Sequence, residues 1–443
     1  MFLTCRNSGR DLGRGAVTPA VDTWLTPGHP NEMTRNLDIT SMFQGCTNFN
    51  MDLTAWGPSI ARFTSLKELF YGCSLFNNGG APGTSLNPMT WDTSNITDFE
   101  SMFGSCEFFN QPVGMWDVSS GENFFGMFRV ARRFNQDISA WRADSATNTH
   151  SMFRDCHVFN QDVSGLLSNN TTWQGARRMF QAAREFNCGL AAGVSSNRLD
   201  SWAIASNTVV TADRVFAGAY SFNQQVNALF TTGTLRDFSL AFIDAQSFNQ
   251  PVSNIDVSGV SDFTFLFANT WAFNQNVSAW NFSNATTLLG MFQNATAFNN
   301  GGVPMTINTA NVVNMSTMFT GATSFQQSVA TWTTQSLSNA FRMFYNNPGY
   351  ASQIEGIKNW TIVNLANAEG FADGDSSGQQ MRIGFAALDA IYNSWASQAS
   401  SPAGVQSGVL IHWGNSEYSQ ASATSRAVLV DDKNWTIAGD TLV

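Results

Sequence analysis

A short aromatic motif recurs a dozen times along this chain. In most units a Met-Phe pair comes first. A small residue sits three places after its Phe, and a second Phe follows three places later. The first Phe falls at Phe43, Phe70, Phe103, Phe128, Phe153, Phe180, Phe216, Phe242, Phe267, Phe292, Phe319 and Phe344. Most steps are 25–27 residues, but Phe70 to Phe103 takes 33 and Phe180 to Phe216 takes 36. The second Phe is six residues on, at Phe49, Phe76, Phe109, Phe134, Phe159, Phe186, Phe222, Phe248, Phe273, Phe298 and Phe325; the twelfth unit has Tyr350 there. Asn follows it ten times, as at Asn110, Asn135 and Asn160. A period of about 20–50 residues constrains the fold before any local signal does, because one such unit cannot bury its own apolar face and must stack on its neighbours.

Within a unit the apolar spacing changes. Phe99, Met102, Phe103, Cys106 and Phe109 fall at three- and four-residue steps, which predicts a short helix. Thr97, Ser261 and Thr286 stand six residues before the first Phe, where an N-cap is expected. Asn after the second Phe fits a left-handed helix stop. Gln136 to Trp141 reads at period two, as a short strand. The expectation is an α/β solenoid, a leucine-rich-repeat-like stack of about 12–13 coils, each a short strand plus a short helix, closed by a small α/β C-terminal cap. With strands ~4.8 Å apart, a dozen coils would make a rod about 60 Å long. Its structural ladder consists of the paired rings Phe43/Phe49, Phe103/Phe109, Phe128/Phe134, Phe153/Phe159, Phe267/Phe273 and Phe292/Phe298, with the amides Asn110, Asn135 and Asn160 beside them. A degenerate thirteenth unit is expected to centre on Phe371.

Three regions follow. Residues 1–37 lack the repeat and read as an N-terminal arm or cap, 38–371 as the repeat solenoid, and 372–443 as a capping domain behind the linker Asp373–Gly378. In the last region Phe385, Leu388, Ile391, Tyr392 and Trp395 mark an amphipathic helix. Val409–Trp413 reads as a strand, Ser422–Leu429 as a second helix and Trp435–Ile437 as a last strand.

Composition narrows the partners. Net charge is −10 and only 12% of residues are charged, so nucleic acid and anionic membranes are poor partners. No apolar run approaches the ~20 residues of a membrane span. The N-terminus carries no secretory apolar segment, so if residue 1 is the natural start the ordinary secretion route is closed. Cys46, Cys73, Cys106 and Cys156 share the slot three after the first Phe, where other units put Ala, so cysteine serves there as a small apolar residue rather than in a disulfide or metal ladder.

The search for chemistry is mostly negative. No cofactor is implied: there is no phosphate-binding glycine loop, nucleophile elbow or zinc-protease histidine pair. His150 and His157 flank Met152-Phe153 at a spacing that fits no zinc pattern and read as surface histidines. Asp137 and Asp162 share a slot in neighbouring coils, which makes them a weak calcium candidate, since two carboxylates that close repel or hold a cation. The Asn and Gln columns read as stacked amides.

The run Met127-Phe128 through Phe134-Asn135-Gln136-Asp137-Ile138-Ser139-Ala140-Trp141 strongly resembles the repeat of the BspA-like leucine-rich-repeat surface proteins, as does Trp91-Asp92-Thr93-Ser94-Asn95-Ile96-Thr97. The tail, Ile411-His412-Trp413-Gly414-Asn415 through Asn434-Trp435-Thr436-Ile437, looks like the closing segment of marine and phage-borne members. The resemblance implies a non-enzymatic surface solenoid used in attachment. The chain departs from cellular members in lacking a secretion signal, a lipid-attachment Cys and a wall anchor. The expected function is therefore a virion-surface fibre or decoration contacting a host surface glycan or protein. Other virion proteins would hold it by the arm or the cap, without membrane insertion, and homo-oligomerisation is left open. The alternatives are a microbial cell-surface adhesin and, more weakly, a glycan-active enzyme on a solenoid scaffold.

Overall fold

The computed structural model describes residue 25 and residues 38–173, 175–202, 210–230, 235–374, 381–402 and 404–443. The arm expected at 1–37 and most of the linker therefore lie outside the described residues. The chain forms two compact units, Met1–Thr232 and Gly233–Val443. That division falls inside the repeat region, and the boundary expected at 371/372 lies within the second unit.

The helix expected in each repeat is a series of turns. Around Phe103, the N–H of Met102 donates to Phe99 (3.2 Å), Gly104 to Ser101 (2.9 Å), Cys106 to Phe103 (3.0 Å) and Phe109 to Cys106 (3.0 Å). Each bond spans three residues, the signature of β-turns rather than of an α-helix. The intervening N–H groups point away from their own repeat. Phe99 donates to Asn123 (2.8 Å), Ser101 to Phe125 (2.8 Å), Phe103 to Met127 (2.9 Å) and Ser105 to Arg129 (2.6 Å), all in the following repeat. Alternate residues thus close a turn or tie two repeats together.

Backbone geometry explains why no helix forms. Ser101 and Ser105, two residues before and after the first Phe, have φ of 51° and 61°. A type II turn needs a left-handed third residue, and each of these serines is that residue. The same two slots are left-handed at Gly126 and Val130, Ser151 and Asp155, and, in the second unit, Phe265 and Asn269. A left-handed residue every fourth position excludes an α-helix. Thr97 and Thr286 consequently cap nothing. Their backbone N–H groups donate to Thr64 (2.8 Å) and Ser261 (2.9 Å), one repeat back. Nor do Asn110, Asn135 and Asn160 supply the left-handed stop, because those residues are not among the positive-φ positions.

The strand expected at 136–141 is absent too. The N–H of Trp141 closes a turn onto Ile138 (2.9 Å). Sheet-like pairing is one residue wide and lies elsewhere, five residues before the first Phe. It runs as parallel bridges Ser65–Asp98–Asn123–Asn148 in the first unit and Asp262–Thr287–Asn314–Asn339–Asn367 in the second. Regular elements are otherwise short in the first unit: helix α1 (Gly57–Ile60) and the two-residue strand β1 (Val210–Thr211).

The core is two columns of phenylalanine rings in each unit. Within a repeat the rings stack closely, 4.0 Å apart for Phe128/Phe134 and 3.7 Å for Phe292/Phe298. From repeat to repeat the first column is spaced 5.6 Å (Phe103–Phe128), 5.7 Å (Phe128–Phe153) and 5.6 Å (Phe153–Phe180). In the second unit Phe267–Phe292 is 5.9 Å and Phe292–Phe319 is 5.8 Å. These rungs are wider than the ~4.8 Å of strand pairing, and the rings of a column stack nearly parallel.

The second unit opens with the strand β2 (Leu235–Asp237) and ends in a distinct closing segment. Ala340 and Phe344 donate to Asn367 (2.8 Å) and Phe371 (2.9 Å), which puts Phe371 in the Met slot and Ala372 in that of the first Phe. The thirteenth repeat is therefore centred one residue later than expected. Its N–H groups at Ala368 and Ala372 donate to Leu410 (3.2 Å) and His412 (3.0 Å). Those carbonyls belong to β3 (Leu410–Tyr418), which pairs in parallel with β4 (Thr436–Leu442). Helix α2 (Phe385–Ala399) buries Leu388, Ile391, Tyr392 and Trp395, whereas Phe385, expected on the same face, opens the first turn and is exposed. The helix read at Ser422–Leu429 is α3 (Ala423–Ala427) continuing into a π-helical turn, Val428–Asp432. Arg426 holds the buried Asp440 through Nε (2.6 Å) and Nη2 (2.9 Å), and the Tyr392 hydroxyl donates to the same carboxylate.

Candidate functional site

The motif residues are consumed by the frame. The paired rings from Phe43/Phe49 to Phe292/Phe298 are fully buried or nearly so. The Phe-Asn-Gln signature makes a hydrogen-bond relay. Asn135 Oδ1 accepts from the backbone N–H of Asn160 (2.9 Å) and from Gln161 Nε2 (2.8 Å), one repeat on. Asn110 does the same for Asn135 (2.9 Å) and Gln136 (2.9 Å), and Asn249 for Asn274 (2.9 Å) and Gln275 (2.8 Å). The Trp column donates backwards, with Trp116 Nε1 bonded to Met89 O (2.6 Å) and Trp141 Nε1 to Val113 O (3.1 Å).

Cysteine in the small-residue slot also has a bond to make. The thiols of Cys73, Cys106 and Cys156 donate to the first-Phe carbonyl of the preceding repeat at 2.9, 3.1 and 2.9 Å. Burial pushes Cys73 up to about 12 and raises Cys106 and Cys156 as well, so none presents a thiolate at neutral pH. Cys46 is buried in the same slot but, against the expectation for it, is disulfide-bonded.

The calcium candidates are engaged singly. Asp137 accepts from the Ser139 N–H (2.9 Å), and Asp162 accepts from that of Ser164 (2.9 Å). Asp162 also meets the Arg198 guanidinium at 3.1 Å, so a protein cation already stands beside it. Among the described residues no three His, Cys, Asp or Glu side chains gather as metal ligands. His150 and His157 serve different neighbourhoods. Burial and Arg177 lower the His150 pKa against the pull of Asp213, while burial, Arg184 and Arg132 lower that of His157.

What remains variable is the turn surface. Three slots share it: three before, two before and one after the first Phe. In the Phe344 repeat the Arg342 guanidinium lies 5.0 Å from the Phe341 ring and 4.8 Å from that of Tyr345, which brings all three slots together. Equivalent slots also touch between repeats: a Cβ on Gly104 would meet the Tyr71 ring at 2.8 Å, and one on Gly290 the Phe265 ring at 2.1 Å. In the second unit this turn face carries Phe265, Leu289, Phe341 and Tyr345. In the first it carries Glu68, Tyr71, Glu100 and Phe125 in the earlier repeats and Arg129, His150, Arg154, Arg177, Arg178 and Arg214 in the later ones.

One arrangement on it is built rather than merely exposed. Asp213, with its side chain 2% exposed, accepts from Arg177 Nε (2.6 Å) and Arg178 Nε (3.1 Å) and faces Arg214 Nη1 at 3.2 Å. One buried carboxylate orients three guanidiniums and leaves a net charge of +2 at the surface. Sequence reading missed this cluster because the long step between Phe180 and Phe216 hides that Arg177 and Asp213 occupy the same slot. Aligning the repeats on their first Phe would have shown it.

Among the described residues no helix is long and apolar enough to cross a membrane. No curated protein and no solved structure matches this chain. The profile of a family described as "Mycoplasma protein of unknown function, DUF285" matches residues 32–83, 81–193, 190–304 and 303–382, four tandem segments that together span most of the chain. With its repeats accounted for residue by residue, the chain belongs to the DUF285 family, the repeat family associated with BspA-like proteins.

Proposed function

We propose that this protein is a non-enzymatic attachment protein displayed on a virion surface, with a solenoidal winding in each unit as its scaffold and the turn face as its contact surface. The observation that carries this reading is the division of labour within a repeat. Phe, Asn, Gln, Trp and Cys side chains are spent on neighbouring repeats, whereas the turn-face slots change chemistry from one repeat to the next over an unchanged frame. Residues that vary on a rigid array are where a repeat protein reads its partner. The virion placement is supported by the closing segment from Ile411 to Ile437, which resembles that of phage-borne relatives and lies beyond the family match.

The family description, which refers to a cellular organism, favours a second reading, a cell-surface adhesin using the same face. Immunogold labelling separates the two. Label on purified particles supports the virion reading, and label on intact cells in the absence of particles supports the adhesin. Fluorescent full-length protein should adsorb to the recognised cells in either case. Absence of label from both surfaces, or failure to adsorb, refutes attachment.

A further inference from the structure

The geometry points to an anion-binding site on the turn face of the first unit, formed by Arg177, Arg178 and Arg214 on the buried Asp213, whose ligand is an acidic polysaccharide. This rests on the attachment reading and names its ligand class. Four observations carry it. Arg177 and Arg178 both use Nε on Asp213, and among the described residues no protein group pairs with their terminal nitrogens, the fork that suits carboxylate or sulfate oxygens. The three guanidiniums exceed the single carboxylate by two charges, so the site is pre-oriented yet not neutralised. The arginines remain reachable, with the Arg177 side chain 47% exposed. Finally, the cluster is not isolated. Ser151 and Asp155 donate to Arg177 O (2.9 Å) and Gln181 O (2.7 Å), so Arg154, paired with Asp155 at 3.2 Å, stands one repeat away on the same face.

A linear polymer with regularly repeated anionic groups fits a face whose repeats advance by about one ring spacing, 5.6 Å for Phe153–Phe180 and 5.8 Å for Phe180–Phe216. Single-stranded nucleic acid is held by aromatic platforms for its bases, and in the Phe153, Phe180 and Phe216 repeats the turn-face slots carry no Phe, Tyr or Trp. The chain's net charge of −10 further opposes general association with nucleic acid.

Calorimetric titration of the full chain tests the assignment, with polygalacturonate, dextran sulfate, neutral dextran and oligothymidylate as probes. Polygalacturonate, dextran sulfate or both should bind, weakening as salt rises, and which of them binds more tightly tells carboxylate from sulfate as the recognised group. Neutral dextran should not bind. Arg177→Gln leaves Asp213 with two partners and should preserve the melting temperature while weakening binding about tenfold, the loss of one charge-assisted contact. Arg177→Lys keeps the charge without the fork and should recover only part of the affinity. Arg382→Gln removes an exposed arginine of the second unit and should bind as the parent does.

Equal binding by the parent and Arg177→Gln overturns the site, as does equal loss in Arg382→Gln or full recovery by Arg177→Lys. Tighter binding of oligothymidylate than of either acidic polymer overturns the polysaccharide assignment. If no polymer binds while labelled protein still adsorbs to cells, the anion site falls and attachment stands; if adsorption fails too, both fall.

Discussion

Replacing Asn135 by Leu removes an acceptor that serves two donors in the next repeat. Its Oδ1 takes the Asn160 N–H at 2.9 Å and Gln161 Nε2 at 2.8 Å. Leaving a part-buried backbone N–H unpaired costs about 1–3 kcal/mol, and the glutamine contact contributes about 0.5–1 kcal/mol net. Asn135→Leu should therefore destabilise the first unit by about 2–3 kcal/mol, a fall of roughly 5–10 °C in its melting temperature. Asn135→Asp keeps an oxygen in the same place and should stay within about 1 kcal/mol of the parent at neutral pH. Urea unfolding followed by tryptophan fluorescence measures both. The reasoning fails if Asp and Leu are equally damaging, because then the acceptor is not what the amide contributes. It fails equally if Leu is neutral, because the relay between repeats would then carry no free energy.

Further outcomes follow from the same frame. Phe128→Ala should cost about 3–5 kcal/mol in the same assay, since the ring touches its partner at 4.0 Å and both neighbours in its column; unchanged melting would contradict its place in the core. Cys73, Cys106, Cys156 and Cys188 should resist iodoacetamide at pH 8.5 in the native protein and react after denaturation, because burial raises all four thiols, Cys73 and Cys188 to about 12. Peptide mapping reads this, and rapid native labelling of any of the four argues against its burial. At the C-terminal segment, burial works to raise the Asp389 carboxyl, but hydrogen bonds from Ser419 and Ser422 outweigh it and hold the pKa below the ordinary value. That stabilisation is present above pH about 4 and is lost as pH falls through the lowered pKa. Trp413 environment, followed by fluorescence during acid titration, should lose stability in that window in the parent and less so in Asp389→Asn; identical acid profiles would remove the carboxylate from the account.

The repeat was legible because its period and paired rings are written directly in the sequence. Its local conformation was not. Apolar residues at three- and four-residue steps mark a helix face, but successive three-residue turns generate the same spacing, as Phe99, Met102, Phe103 and Cys106 do here. Glycine would have betrayed the left-handed slots, yet many are filled by Ser101, Val130, Arg178 or Phe265. Those residues bear the local strain because the freed N–H groups are taken up by the next repeat. The alternation read as a strand at 136–141 reflects two inward residues, Ile138 and Trp141, on either side of a turn. Elements without repeat bonding were read more directly: the apolar stripe from Leu388 to Trp395 lies on α2, where neighbouring repeats impose no competing geometry.

Strand β3 has a consequence for assembly. The donors Ala340 and Phe344, four residues apart, meet carbonyls that are also four apart, Asn367 and Phe371. The equivalent donors Ala368 and Ala372 meet Leu410 and His412, which are only two apart, and β4 occupies the other edge of that strand. The four-residue rhythm of the repeat thus gives way to the two-residue rhythm of a strand, and the edge beyond it belongs to β4 rather than to another repeat. Stacking of a further repeat on this end would therefore have to pair with an ordinary strand edge instead of with a copy of itself.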